Sequence, residues 1–191
     1  MKGLAVGIVI LALAAPLGWA QTTTWTSDPA HSEVDFTISH LGVANVHGRI
    51  GKVAATLLWN EADATKSTVT ATIDAGTVDT GEETRDTIVK SADFFDVDRF
   101  PTATFASTGV AKNGSRLTVT GNLKLRGVSR PVVLDVEGPR GPVRGADSKW
   151  HSGFTATTTL SRSAFGIATA FPAGIVGDEV KLTIELEVIK Q

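Results

Sequence analysis

The residues of this sequence that could do chemistry are its four histidines, three of which, His31, His40 and His47, lie close together in the chain. A metal site needs three or four converging ligands, often with a carboxylate behind them. The intervals of nine and seven residues fit no compact helical motif, and on one strand His31 and His40 would face opposite sides. We therefore predict no metal site. His40 is either a polar interior residue bonded to a neighbour or a group that meets the polar head of a ligand.

Acidic and nucleophilic residues show no arrangement typical of an enzyme. The acidic run Asp93–Asp98 lacks the alternate oxygen ligands and the glycine of a calcium loop, so we interpret it as an acidic corner around an apolar plug. The chain contains no cysteine, no G-x-S-x-G turn and no glycine-rich phosphate loop. We expect no catalytic residue, no cofactor and no enzymatic activity.

Residues 1–20 have the layout of a cleavable secretory signal peptide. Lys2 supplies a positive charge, residues 4–15 form an uncharged apolar run, and small residues precede a predicted cut after Ala20. This run is too short to span a bilayer comfortably, and no second long apolar run follows it. We expect residues 21–191 to be periplasmic or secreted and not integral to the membrane.

The composition favours one all-β domain over residues 21–191. Threonine and valine, which prefer strands, are abundant, and the lack of cysteine excludes a small disulfide-stapled fold. The formal net charge is −2, and both signs are spread along the chain without a basic stripe. Nucleic acid is therefore not an expected partner.

Alternation of apolar and polar residues predicts strands throughout this domain. On Ser32–His40, the side chains of Val34, Phe36, Ile38 and His40 fall on one face. The other segments with strand character are 53–59, 68–73, 102–107, 117–125, 131–137, 154–160 and 180–189. About eight or nine strands without a linker or repeat predict an antiparallel β-barrel or sandwich.

Turn residues separate several of the predicted strands. Asn113-Gly114 predicts a type I′ hairpin turn, because both of its central positions need a positive φ. Gly48 and Gly51 indicate a bend or bulge, and residues 139–145, rich in proline and glycine, indicate a loop.

One segment has the pattern of a helix. Thr80 and Glu83 fit a capping box, and Asp86 stands four residues before Lys90. We predict a short helix over Gly81–Ser91, placed as a lid or plug at one end of the barrel.

Large apolar residues on the inward faces indicate either a packed core or the wall of a cavity. Barrels of about eight strands occur filled or hollow, so the pattern leaves both alternatives open. The inward set is Phe36, Leu57, Phe105, Leu117, Phe154 and Ile184, with Phe94, Phe95, Phe100, Phe165 and Phe171 near strand ends.

Long sequence blocks, in order over nearly the whole domain, resemble the YceI-like family. These blocks are Asp28–Phe36 followed by His40, Lys90–Val97, Arg99–Phe105, Gly121–Val128 with Pro131-Val132, Ser161–Ile167 and Val176–Val180. The resemblance implies an extended, lipocalin-like antiparallel β-barrel whose tunnel holds an isoprenoid or another long-chain amphiphile.

The resemblance also implies where a ligand would bind. It places His40 and Arg85 near the tunnel mouth or the ligand head, and several phenylalanines in the wall or plug. With the inward strand residues, the predicted ligand-binding set is Phe36, Ile38, His40, Arg85, Phe94, Phe95, Phe100, Phe105, Phe154 and Phe165.

Two other functions stay open. An accessory redox protein would act on a bound isoprenoid quinone, with His40 and Arg85 at the head group. A structural or stress-related interaction protein would use the barrel only to display its loops. Several members of the family form dimers, and an exposed barrel edge would allow a homodimer here.

Overall fold

The computed structural model describes residues 22–191, and the signal peptide predicted for residues 1–20 lies outside them. The strands are β1 Thr22–His40, β2 Ala44–Ile50, β3 Val53–Asn60, β4 Thr68–Asp74, β5 Val78–Asp79, β6 Thr102–Asn113, β7 Arg116–Leu125, β8 Val128–Arg144, β9 Trp150–Ser161 and β10 Val176–Lys190. One helix, α1, spans Glu83–Lys90. Short 3₁₀ turns occupy Ala64–Lys66, Ala75–Thr77 and Ser163–Phe165.

Eight of these strands close into an antiparallel barrel. Around the barrel the order is β1, β3, β4, β6, β7, β8, β9 and β10, and β10 pairs again with β1. β2 pairs with the second half of β1, and the short β5 pairs with β2. The structure confirms the predicted all-β, lipocalin-like barrel of about eight strands.

A bulge with several extra residues in β1 changes which sequence positions face the barrel interior. Ser27 is opposite Val188 and Ser32 is opposite Leu186, so β1 advances by five residues where β10 advances by two. Trp25 and Val34, which have opposite parity in the sequence, are therefore both buried. Alternation over Ser32–His40 alone does not show that the strand begins ten residues earlier, at Thr22.

Two of the predicted turns differ in the structure. Asn113 pairs with Arg116, so the turn is Gly114-Ser115, with φ +60° at Gly114. Glycine at the first central position is the pattern of a type II′ turn and replaces the predicted type I′ turn. Of the two glycines predicted at a bend or bulge, Gly48 lies inside β2, paired with Phe36, whereas Gly51 lies in the segment between β2 and β3.

The predicted loop at residues 139–145 is largely strand. β8 continues to Arg144, and its partners on β9 include Gly153 for Arg140 and Trp150 for Arg144. Two register shifts interrupt this pairing. The prolines are tolerated because a bulge leaves ladder positions without a required N–H donor.

The predicted helix is present, but its cap differs. Glu82 is the N-cap residue, and its carboxylate accepts hydrogen bonds from the backbone amides of Thr84 and Arg85. Thr80 instead bonds to Asp86. Gly81, at φ +78°, turns the chain between Thr80 and Glu82, so Glu82 rather than Thr80 is the extended residue before the helix.

Candidate functional site

The interior of the barrel is hollow. A chamber of about 430 Å³ lies at the end covered by α1, and a deeper chamber of about 170 Å³ lies along the barrel axis. Five side chains line both chambers, which are therefore adjacent and together form the tunnel: Val34, Ile73, Leu123, Leu160 and Leu182. Of the two alternatives that the sequence left open, the cavity is the one observed.

The deep chamber has almost entirely apolar walls. Leu117, Val136 and Phe154 belong to its buried lining. Space remains because Ala55, Ala71 and Ala156 stand at inward positions where a larger side chain would fill the lumen. Such a chamber fits an alkyl or isoprenoid tail, which brings no polar group that would need a partner.

Two phenylalanine rings cover glycines in the tunnel wall. A Cβ added at Gly121 would lie 2.5 Å from Cε2 of Phe105, and one added at Gly48 would lie 2.6 Å from Cε1 of Phe36. Each ring therefore lies in space that only glycine leaves free. These rings line the tunnel without closing it.

The tunnel ends at an aromatic pair. Trp59 and Phe154 line the deep chamber and also a separate cavity of about 250 Å³ at the base of the barrel. Trp25, Pro139 and Pro142 are among the other residues that line this second cavity. The two rings, with Leu57, therefore lie between the deep chamber and the space beneath it.

The charged side chains that line the tunnel lie at its mouth. Arg85 donates from Nε to Thr80 Oγ1 at 2.9 Å and from Nη2 to the Thr80 carbonyl at 2.8 Å. Asp86 Oδ1 accepts from the Thr80 amide at 2.7 Å, and the hydrogen bonds from Thr80 lower the pKa of Asp86. These bonds anchor α1 to the end of β5. Arg85 and His40 both line the mouth chamber, where a charged or hydroxylated head group would lie.

Arg162 holds one wall of the mouth together. Its side chain is buried, and its three nitrogens donate to five backbone carbonyls: those of Ile167, Ala168, Phe171, Val176 and Gly177. The carbonyls lie in the segment 167–177, which links the last 3₁₀ turn to β10. The Ser-Arg-Ser block was recognised in the sequence, but this role depends on contacts that the chain forms only when folded.

Nine of the ten predicted ligand-binding residues line the tunnel. Phe105 and Phe154 line the deep chamber, and the mouth chamber is lined by Phe36, Ile38, His40, Arg85, Phe94, Phe95 and Phe165. Phe100 does not line either chamber, because its ring packs at the position of Gly127 and beneath the Arg99 guanidinium. Contact with a ligand stays a prediction for all ten residues.

Several lining residues were not selected from the sequence. Ile88 and Val89 come from α1, and Trp59 closes the tunnel. Alternation along β7 and β10 indicates the inward faces of Leu123, Leu125, Val180 and Leu182. The helix was predicted as a lid or plug, but its sequence pattern did not identify Ile88 and Val89 as the residues that face the tunnel.

The three histidines close in sequence do not converge. His47 is paired with Thr37 at 3.0 Å on the outer face, and His40 lies at the mouth. His31 is near the base, 2.9 Å from Asp28 and 3.9 Å from Glu187.

The fourth histidine joins His31 through a carboxylate. His151 contacts Glu187 at 2.7 Å and Asp147 at 3.0 Å. The hydrogen bond to Asp28 raises the pKa of His31, and those to Asp147 and Glu187 raise the pKa of His151. The ligand atoms of Asp28, His31 and Glu187 lie within 4.8 Å of one another. This group offers three ligands, whereas a structural zinc site uses four. We describe the group as an ion-pair network.

Comparison with known proteins places this barrel among related chains. The model of the YceI-like domain matches residues 25–188. Protein YceI of Salmonella arizonae is 33% identical over 196 residues, with both chains fully covered. The crystal structure of Burkholderia cenocepacia BcnA has a TM-score of 0.76 and 27% identity, covering 84% of this chain and 98% of that one.

A more distant neighbour is a polyisoprenoid binding domain from Saccharophagus degradans. Its TM-score is 0.63 at 14% identity, covering 90% of this chain and all of the domain, so the likeness concerns the fold alone. Within residues 22–191, no helix has the length and apolar character needed to cross a membrane.

Proposed function

This chain belongs to the YceI-like domain family, and from that premise we propose that its barrel binds a long-chain amphiphile. The tail would be of isoprenoid, quinone-like or fatty type, held in the tunnel. The observation that carries this proposal is the largely apolar lumen that two adjacent chambers form between α1 and the Trp59–Phe154 pair. Since the polyisoprenoid binding domain shares the fold, isoprenoids are the first tails to test.

The two chambers suit the two ends of such a ligand. Burying about ten methylene groups would contribute about 8 kcal/mol, the scale of a micromolar Kd before ordering costs are subtracted. The polar head would remain at the mouth, within reach of His40 and Arg85. Binding of this kind requires neither a cofactor nor a catalytic residue, so we propose a carrier or store rather than an enzyme.

We also propose that the protein acts outside the cytoplasm. Residues 1–20 supply the support, because they combine a charged start, an apolar run and small residues before the predicted cut after Ala20. Amino-terminal sequencing of protein from the periplasmic and secreted fractions tests this location. A chain that retains residues 1–20 in every fraction would contradict it.

The test of binding is to extract the purified protein with organic solvent and to identify lipids by mass spectrometry. In parallel, delipidated protein is titrated with a fluorescent geranylgeranyl probe. We expect a stoichiometric lipid and saturable uptake. An empty extract together with no uptake of isoprenoid or fatty probes would overturn the proposal.

The role of the deep chamber is tested with two alanine-to-phenylalanine variants, one inside the tunnel and one on the outer face of the barrel. Ala71 faces the deep chamber, whereas Ala54 is exposed on the outer face of the neighbouring strand β3. We expect Ala71→Phe to abolish uptake with little change in unfolding free energy, and Ala54→Phe to leave uptake unchanged. If Ala71→Phe does not fold, Ala71→Leu makes the same test with less added volume. Full uptake by a folded Ala71 variant would exclude the deep chamber as the tail site.

A further inference from the structure

We propose that the tunnel mouth docks on the surface of a lipid bilayer through a ring of exposed apolar side chains. This inference rests on the proposed function and names the partner with which the ligand is exchanged. The ring, called the mouth rim here, consists of Leu41, Val43, Ile88 and Ile175.

The mouth rim is strongly exposed. The exposed fractions are 52% for Leu41, 85% for Val43, 48% for Ile88 and 42% for Ile175. The other large hydrophobic side chains exposed in residues 22–191 lie on the outer wall or near the base: Leu58, Val133, Val143 and Trp150. Exposed apolar residues that cluster around an opening indicate an interaction surface, whereas scattered ones need no explanation.

Three separate segments of the chain contribute residues to the mouth rim. Leu41 and Val43 form the tip of the β1–β2 hairpin, and the Leu41 amide donates to the Ile175 carbonyl at 2.9 Å. Ile88 comes from α1 and also lines the mouth chamber. The apolar surface therefore continues from the lumen to the outside.

The rim loops carry no formal charge. Neither residues 41–46 nor residues 167–177 contain a lysine, arginine, aspartate or glutamate, although 20% of the chain is charged. Leu41 adopts φ +54° at the hairpin tip, a conformation in which asparagine or glycine would be less strained. An uncharged apolar tip fits the neutral interfacial layer of a bilayer, into which such side chains insert.

The position of the rim favours a bilayer over a second copy of this chain. A second copy seated on the rim would cover the opening of the tunnel. A bilayer on the same surface would let an apolar tail pass between membrane and lumen without crossing water, which a long tail does only at high cost. The two rim loops have no cation for an anionic lipid, and the four charged residues of α1 sum to zero, so we expect that anionic lipid is not required.

The experiment measures binding of the chain 21–191 to phosphatidylcholine vesicles by co-sedimentation, and transfer of the geranylgeranyl probe from the same vesicles. We compare Val43→Asp with Val143→Asp, since Val143 is 61% exposed near the base of the barrel. We expect Val43→Asp to lower vesicle binding and transfer rate about tenfold and Val143→Asp to change neither. Vesicles with anionic lipid should give the same ranking.

Two outcomes would overturn the docking proposal. One is unchanged vesicle binding in Val43→Asp, and the other is a change of oligomeric state in that variant, which would identify the rim as a contact between copies. Equilibrium uptake of dispersed probe is measured separately. Loss of uptake by the wild-type chain would refute the proposed function, whereas normal uptake without vesicle binding would refute only the docking.

Discussion

The rings of Trp59 and Phe154 meet at the floor of the tunnel, with centroids 5.9 Å apart and planes inclined by 56°. The cavity beneath them is lined by Trp25, Pro139 and Pro142. Because the same two rings face both spaces, they set the depth to which a straight tail can enter.

We therefore expect Trp59→Ala to join the two cavities and shift binding toward longer tails. Removing the indole should also lower the unfolding free energy by about 2–3 kcal/mol, below the range for a fully buried tryptophan because Trp59 is half-buried. Competition between probes of different isoprenoid length measures the shift. Trp150→Ala, on an exposed tryptophan, is the control and should leave the length preference unchanged.

Gly121 has no room for a side chain. Its Cβ would meet the ring of Phe105 and would lie 2.6 Å from the Ala106 carbonyl oxygen. We expect Gly121→Ala to lower the unfolding free energy by about 1–3 kcal/mol and to push the Phe105 ring into the lumen, which weakens tail binding. Denaturant unfolding and probe titration measure the two effects. Gly51→Ala, where a Cβ would meet nothing within 4 Å, should be close to neutral.

Arg162 supports the segment that carries part of the mouth rim. Arg162→Met removes its donors from five buried or half-buried carbonyls, and we expect a loss of about 3 kcal/mol or more. Hydrogen exchange should become faster in residues 167–177 before other regions. Arg130→Met is the control, because Arg130 is exposed and its Nε donates to the single carbonyl of Ala164. Equal destabilisation by the two variants would contradict the role given to Arg162.

The ion-pair network near the base predicts a pH dependence of stability. The pKa values of His31 and His151 are raised in the folded state, so their protonated forms stabilise the fold. This stabilisation is complete below the ordinary histidine pKa of about 6.5 and is lost as the pH rises through the raised values. The bonds to these histidines lower the pKa values of Asp28 and Asp147, so the carboxylate contribution is lost as the pH falls through those lowered values.

Stability from this network should therefore be greatest at mildly acidic pH and lower at alkaline pH. The measurement is the unfolding free energy against pH for the wild-type chain and for His31→Gln/His151→Gln. The difference between the two curves isolates the contribution of His31 and His151. A flat difference between acidic and alkaline pH would show that the network contributes nothing to stability.

Local sequence patterns predicted most of the barrel. Period-two alternation on segments such as Ser32–His40 and Thr68–Ile73 identifies strands and their inward faces, since successive side chains point to opposite sides. The capping-box pattern and the Asp86–Lys90 spacing of the helical segment likewise predicted α1. These features depend on neighbouring residues, so the chain reveals them before it folds.

Tertiary structure decided what lies inside the barrel and which distant residues meet. Whether Ala71 leaves a space depends on the side chains across the lumen. The same inward residues are compatible with a packed core or with a cavity, so the sequence did not distinguish the two. The β1 bulge that buries both Trp25 and Val34 follows from the register with β10. His31 and His151 share Glu187 because β10 lies between their two strands and places this carboxylate beside both. Sequence spacing determines local geometry, whereas closure of the barrel determines these contacts.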